Sequence, residues 1–266
     1  MNETAAASVL FVLLLASSMF GVLMQRRLAE RHRARETVDA VRLVISILVT
    51  MTALVLGLLT SSVKTSFDEF GARLRGYSAD IITLDQRLRD YGQAADPTRT
   101  LIRSYLAAAI ADTWPHEAPP SGDYPTHVKK FRDGSLEGEQ LGVMLTRADS
   151  QIRALQPSDK VHQQLADILE ARMTRILEER WRLIETGYST ISWPLMALMT
   201  SWLIMIFAAF GLSTPRNAVV YVTIALCAFS ISSAVFLILD LDTPLDGWIV
   251  VSSQPLRDAL LNLDTP

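Results

Sequence analysis

Four stretches of the chain are apolar at nearly every position. Between the second and third lies a long segment in which apolar residues recur every three or four positions. The first stretch, Ala5 to Met24, holds about 20 residues without a charge, enough helix to cross about 30 Å of hydrocarbon. The others are Leu43 to Ser61, Ile191 to Leu212 and Ala218 to Leu239. Each is long enough to span a bilayer. Pro194 falls in the first turn of the third, where a missing N–H does little harm. Trp193 and Trp248 stand where interfacial aromatics belong. The N-terminus carries Glu3 and no basic run before the first apolar stretch, so a retained span is expected there rather than a secretory leader.

The segment after the second stretch has a different period. Val63, Phe67, Phe70, Leu74, Tyr77, Ile81, Leu84, Leu88 and Tyr91 are separated by alternating steps of 4 and 3. That is a heptad seam, with Asp68, Glu69, Arg73, Arg75, Arg87 and Arg89 off it. No helix breaker separates seam from span, so one continuous helix is predicted to leave the membrane and carry the seam outward. A second helix starts with Asp96 as cap and Pro97 in its first turn, and stops at Trp114 and Pro115. "HEAPPSGDYPT" (His116 to Thr126) reads as linker. A shorter helix is predicted from Gly138 to Leu155, and a long one opens at Pro157 and Ser158 and runs to Ile184, back toward the third span. Ser253 is placed to cap a last short helix.

The expected architecture is all-α: four transmembrane helices with a helical stalk or domain formed by long extensions of the second and third spans. The expected divisions are 1–61, two spans with a basic loop; 62–188, the extramembrane helices; 189–240, the last two spans; and 241–266, a tail.

Composition agrees with spans plus a water-exposed part: 50% of residues are hydrophobic, yet 20% are charged. The net charge of -3 gives no basic field for nucleic acid, and none is expected as partner. Charge placement says more. Arg26, Arg27, Arg31, Arg33, Arg35 and Arg42 crowd the short loop between the first two spans. By the positive-inside rule that loop, residues 25–42, is cytoplasmic, and the helical domain lies outside. Arg216 sits on the same side as the loop. The single cysteine, Cys227, forms no disulfide within the chain.

The second span carries the main candidate site. Arg42, Ser46, Thr50, Ala53, Gly57, Thr60 and Lys64 follow one another at steps of 4 and 3, on one helical face. Two readings stay open. Repeated around a symmetry axis, the stripe would line a path for ions, with Arg42 and Lys64 as rings of positive charge that attract anions. Alternatively, small residues allow another helix to approach closely, and hydroxyls bond back to the helix. Small pairs elsewhere, such as Ser17 with Gly21 and Ala228 with Ser232, read as span contacts.

Other chemistry is sparse. Asp240, Asp242 and Asp246 form a weak candidate metal site for a hard cation such as Ca²⁺, at spacings that are not those of an EF-hand. The histidines His32, His116, His127 and His162 are scattered and lack zinc-ligand spacing. Phosphate-binding, nucleophile-elbow and zinc-protease motifs are absent, so neither catalysis nor a cofactor is expected.

Four ordered motifs carry a resemblance: "LVLGLLTSSVKTSFD" from Leu54, "LDQRLRDYG" from Leu84, "FGLSTPRNA" from Phe210 and "LILDLDTPLDGWIVVSSQPLRDAL" from Leu237. Together they resemble the bestrophin-like family of bacterial membrane proteins, a domain of unknown function that is distantly similar to bestrophins. Bestrophins are pentameric anion channels, with the pore lined by the second span and a helical domain beyond the membrane. The resemblance implies a homo-oligomer, a pentamer by that likeness, in contact with membrane lipid and passing small anions. It implies residence in a bacterial inner membrane. It also implies a cytoplasmic helical domain, whereas the six arginines put that domain outside; the arginines are taken as the guide. The alternative function is a non-conducting scaffold or sensor whose helical stalk self-associates or binds a partner.

Overall fold

A computed structural model describes residues 3–27, 35–125, 138–187, 191–213 and 217–264. The readings made for Arg31, His32, Arg33, His127 and Arg216 fall outside them. Among the described residues every regular element is helical: α1 (Glu3–Arg27), α2 (Arg35–Tyr91), α3 (Asp96–Thr113), α4 (Glu139–Arg153), α5 (Lys160–Thr186), α6 (Trp193–Ser213), α7 (Ala218–Leu241) and α8 (Gln254–Asp264), with a 3₁₀ turn at Gln93–Ala95. The fold class is therefore all-α, and α1, α2, α6 and α7 are each long and apolar enough to cross a membrane.

The chain divides into two compact units. One comprises Met1–Thr65 and Thr190–Asp242, the other Ser66–Ser189 and Thr243–Pro266. Helix α2 supplies its first part to the membrane unit and the remainder to the helical domain, as one unbroken helix of 57 residues.

In the membrane unit α1 packs on α6 and α7. Leu10, Leu14, Leu203, Phe207 and Ala228 are buried there. Lipid tails are as apolar as these side chains, so association depends on close backbone approach rather than on expulsion of water. The α1–α6 crossing shows how close. A Cβ on Gly21 would stand 2.1 Å from the carbonyl oxygen of Ala208, and one on Gly211 2.0 Å from that of Ser18. Ser17 Oγ lies 3.2 Å from the carbonyl oxygen of Ile204 on the same face. Ala228 and Ser232 are both buried, as expected for a span contact. Asn217 begins α7, its Oδ1 accepting from Val219 N at 3.2 Å.

In the helical domain the seam of α2 forms the centre of the core. Phe70, Leu74, Tyr77, Ile81, Leu84, Leu88 and Tyr91 are all buried. They pack among Ile102, Tyr105 and Ile110 of α3, Leu141 and Leu145 of α4, Leu169, Met173 and Ile176 of α5, and Leu256 and Leu260 of α8. Of the two seam residues nearer the membrane, Val63 is buried and Phe67 partly so. The heptad is thus filled by the protomer's own helices. Two acids off the seam fasten α2 to its neighbours. Asp85 pairs with Arg89 at 2.7 Å and with Arg99 of α3 at 2.9 Å. Asp80 pairs with Arg172 at 3.4 Å and Arg175 at 2.9 Å, both on α5.

Several helix ends differ from expectation. The cap of α3 is Ala95; Asp96 is its first residue and lies 3.6 Å from Arg99. Helix α5 begins at Lys160, two residues after the expected opening at Ser158, and Asp159 caps it: its Oδ1 accepts from the backbone of Val161 and His162, both at 2.8 Å. Helix α5 stops at Gly187 and α6 begins at Trp193, so the arm that leads to the third span is a separate helix. Ser253 does precede α8, but its hydroxyl bonds Glu117 instead of the helix end. The last segment carries the expected short helix. Leu256, Ala259, Leu260 and Leu263 bury one face of α8 in the domain core. The indole Nε1 of Trp114 donates to the carbonyl of Val251 at 2.7 Å, and Arg257 donates to Glu117 and to the carbonyl of Ala118.

Candidate functional site

The second span presents three faces. Thr52, Leu59 and Val63 are buried; Leu59 belongs to the apolar core of the membrane unit, and Leu48, Val55 and Leu56 pack partly against that core. At about 100° per residue, the stripe from Ser46 to Lys64 lies roughly a third of a turn away. The remaining face, with Leu43, Ile47, Leu54 and Leu58, is apolar and exposed. The second span has the smallest buried share of the four, 11% against 28% for each of the others.

The protomer's own helices therefore do not cover the stripe. Arg42, Ser46, Thr50, Ala53, Gly57 and Lys64 are exposed, and Thr60 is half-buried. A Cβ on Gly57 would meet nothing within 4 Å, so this glycine leaves open space. Arg42 stands 3.8 Å from Asp39, one turn back on an equally exposed part of the helix.

The hydroxyls are already engaged. Ser46 Oγ donates to the carbonyl of Arg42 at 2.8 Å, Thr50 Oγ1 to that of Ser46 at 2.9 Å, and Thr60 Oγ1 to that of Leu56 at 2.8 Å. This is the back-bonding by which a hydroxyl satisfies itself on a membrane helix. It leaves lone pairs, rather than hydrogens, directed away from the backbone. Along the middle of the stripe the exposed polar atoms are acceptors; the cationic donors are Arg42 and Lys64 at its ends.

Asp240 and Asp242 are buried, and Asp242 Oδ2 lies 3.5 Å from the backbone N of Ile191. Asp246 is exposed, and its Oδ1 accepts from Gly247 N at 2.9 Å within its own turn. Among the described residues no three His, Cys, Asp or Glu side chains are grouped so as to hold a metal ion. His162 faces Tyr91 edge-on and contacts Asp159 at 2.9 Å, a structural role at the start of α5.

Sequence reasoning missed the buried polar groups of the helical domain. Asp85 sits among the charged residues Arg87, Arg89 and Asp90, Asp80 in a stretch without other charges, and only the packing of α3 and α5 shows that both are buried and paired. The hydroxyls of Tyr77 and Tyr105 meet at 2.7 Å in the core. Burial raises both phenols above their ordinary range, more so for Tyr77, while Arg180 opposes the shift. Both phenols are accordingly neutral at physiological pH.

An all-helical membrane protein is thus defined, with an uncovered polar stripe on its second span and a separate helical domain. It belongs to the Bestrophin-like domain family, whose model matches residues 12–256. Solved structures share the fold. A single-site variant of a bacterial bestrophin homolog from Klebsiella pneumoniae is 15% identical, with a TM-score of 0.66 over 99% of this chain and 97% of that one. Another structure of the Klebsiella pneumoniae homolog, phased with zinc, is 17% identical, with a TM-score of 0.63 over 96% of each chain. No curated protein matches the sequence.

Proposed function

We propose that the protein is an oligomeric ion channel, in which copies of the second span surround a path that favours small anions. The observation that carries this reading is the separation of faces on α2. One face packs within the protomer, one is apolar and suits lipid or a neighbouring copy, and the polar stripe is left open. A stripe on the outside of one protomer encloses nothing by itself, so the path requires several copies around an axis. Bestrophins, which the sequence resembles, are pentamers, and five copies is the number proposed here. Native mass spectrometry of the purified protein should give that mass.

Selection falls to the ends of the stripe. The hydroxyls of Ser46, Thr50 and Thr60 have their hydrogens on backbone carbonyls, so a passing anion meets acceptors unless it keeps its water. Rings of Arg42 and Lys64 raise the local anion concentration at each mouth. In planar bilayers the purified oligomer should carry current with a reversal potential toward that of chloride. Lys64→Glu should shift it toward the cation, and Thr50→Val should change it little. Silent bilayers from intact oligomer, or selectivity unmoved by Lys64→Glu, would contradict the proposal.

The arginine-rich loop supports a cytoplasmic position for residues 25–42 in a bacterial inner membrane. Reporter fusions after Met24 and after Asp264 should place these two points on opposite sides, the first in the cytoplasm. The opposite pattern would put the helical domain inside.

A further inference from the structure

The helical domain carries a cleft of about 640 Å³ between α4 and α5 that a conduction path does not use. Its volume falls in the range of small-molecule sites. Helix α4 contributes Gly142, Val143, Thr146 and Arg147; helix α5 contributes Arg180 and Trp181. Two features of this wall are unusual for a solvated surface. Arg180 is only 5% exposed, a guanidinium held within the fold, while the adjacent Trp181 is 63% exposed. The Arg180 guanidinium lies 5.6 Å from the centre of the Trp181 ring.

Gly142 keeps the approach to that guanidinium open. A Cβ there would sit 3.7 Å from Nη1 and 3.8 Å from Nη2 of Arg180, so any larger side chain would occupy the space in front of it. The hydroxyl of Thr146 donates to the carbonyl of Gly142 at 3.0 Å, and that of Ser150 to the carbonyl of Thr146 at 2.8 Å. Among the described residues the charged donors of the cleft are its two arginines, and no carboxylate lines it. Nearby acids are engaged by other arginines: Asp149 by Arg153 at 2.9 Å, and Glu179 by Arg182 at 2.8 Å. The chemistry combines positive charge, an exposed indole face and short apolar walls. Arginine pairs with carboxylates or phosphates through its planar fork, and an indole face accepts a flat ring.

We propose that this cleft binds a small organic anion, with its anionic group against Arg147 and Arg180 and a flat apolar body over Trp181. The test uses 2-naphthoate as probe, by titration calorimetry on the full chain in lipid nanodiscs, with empty discs subtracted. Saturable binding is expected. Neutral 2-naphthalenemethanol and inorganic phosphate, each lacking half of the recognised chemistry, should bind at least about tenfold more weakly. Arg147→Glu and Trp181→Ala should each weaken naphthoate at least about tenfold. Both side chains are exposed, so these variants test the site without disturbing the core; Arg180 also interacts with buried Tyr105 and is left intact. Naphthoate binding that is absent, or equal in wild type and both variants, overturns the proposal. So does a changed oligomer mass in the variants, which would make the cleft a contact between copies.

Discussion

Three glycines show how much one atom decides. Gly21 and Gly211 lie at the α1–α6 crossing, where an added methyl would collide with backbone carbonyls. Gly57 lies on the open stripe, where the same methyl meets nothing. Overpacking of a tight contact costs about 1–3 kcal/mol, more when the obstacle is rigid backbone. Replacing an exposed helical glycine with alanine gains about 1 kcal/mol. Gly21→Ala should therefore lower the thermal stability of the detergent-solubilised protein, and Gly57→Ala should not. If instead Gly57→Ala also destabilises the assembled oligomer while sparing the protomer, the stripe is a contact between copies. The Ser17–Gly21 pair was visible in the sequence as a small-residue spacing. Its partner Gly211 was not, because only the crossing of α1 and α6 brings the two into register.

At the level of elements, α2 was the most readable part of the chain. Its seam steps of 4 and 3 announced a buried helical face, and the structure buries that face. What fills the seam was not readable, since period alone does not say whether a partner helix comes from the same chain. Leu84 is 1% exposed and enclosed by its own domain. A cysteine there should fail to cross-link two copies, and efficient cross-linking would show that the domain opens to exchange helices. Helix α8 was underread. Leu256, Ala259, Leu260 and Leu263 have helical spacing, but the segment is short and follows a turn, so the signal was weak.

Glu117 adds a pH dependence to the docking of α8. Partial burial pushes its carboxyl up, but bonds from Ser253 and Arg257 outweigh this and hold it below the ordinary range. Such a group adds stability that is complete above its unfolded value, about 4.3, and is lost as pH falls through the lower folded value. Protection factors of the amides in residues 254–264, corrected for the intrinsic pH dependence of exchange, should therefore be high at neutral pH and fall in acid below about pH 4.3. Glu117→Gln should exchange faster at neutral pH and lose most of this dependence. An unchanged acid response in the variant would assign the effect to other groups.

For the whole molecule, the family and the helical membrane fold were legible from four ordered motifs and four apolar stretches. The meaning of the polar stripe was not, because it depends on which face of α2 the rest of the protomer covers. Burial of Leu59 in the core of the membrane unit turns Thr50 and Gly57 away from the protomer's own helices. Within one protomer, small-residue packing is thus removed as an explanation of the stripe. What is left is a meeting of copies, either around the path proposed above or in direct helix contact, and the two differ in whether the stripe meets water. The exposed Cys227 in α7 must first be replaced by serine to give a clean background. Single cysteines are then placed at Thr50, Gly57, Leu54 and Leu58, and the oligomer in membranes is treated with a charged, membrane-impermeant thiol reagent. The path predicts rapid modification at Thr50 and Gly57, with loss of current, and slow modification at Leu54 and Leu58. Equal protection at all four positions, or modification of the leucines alone, would contradict it.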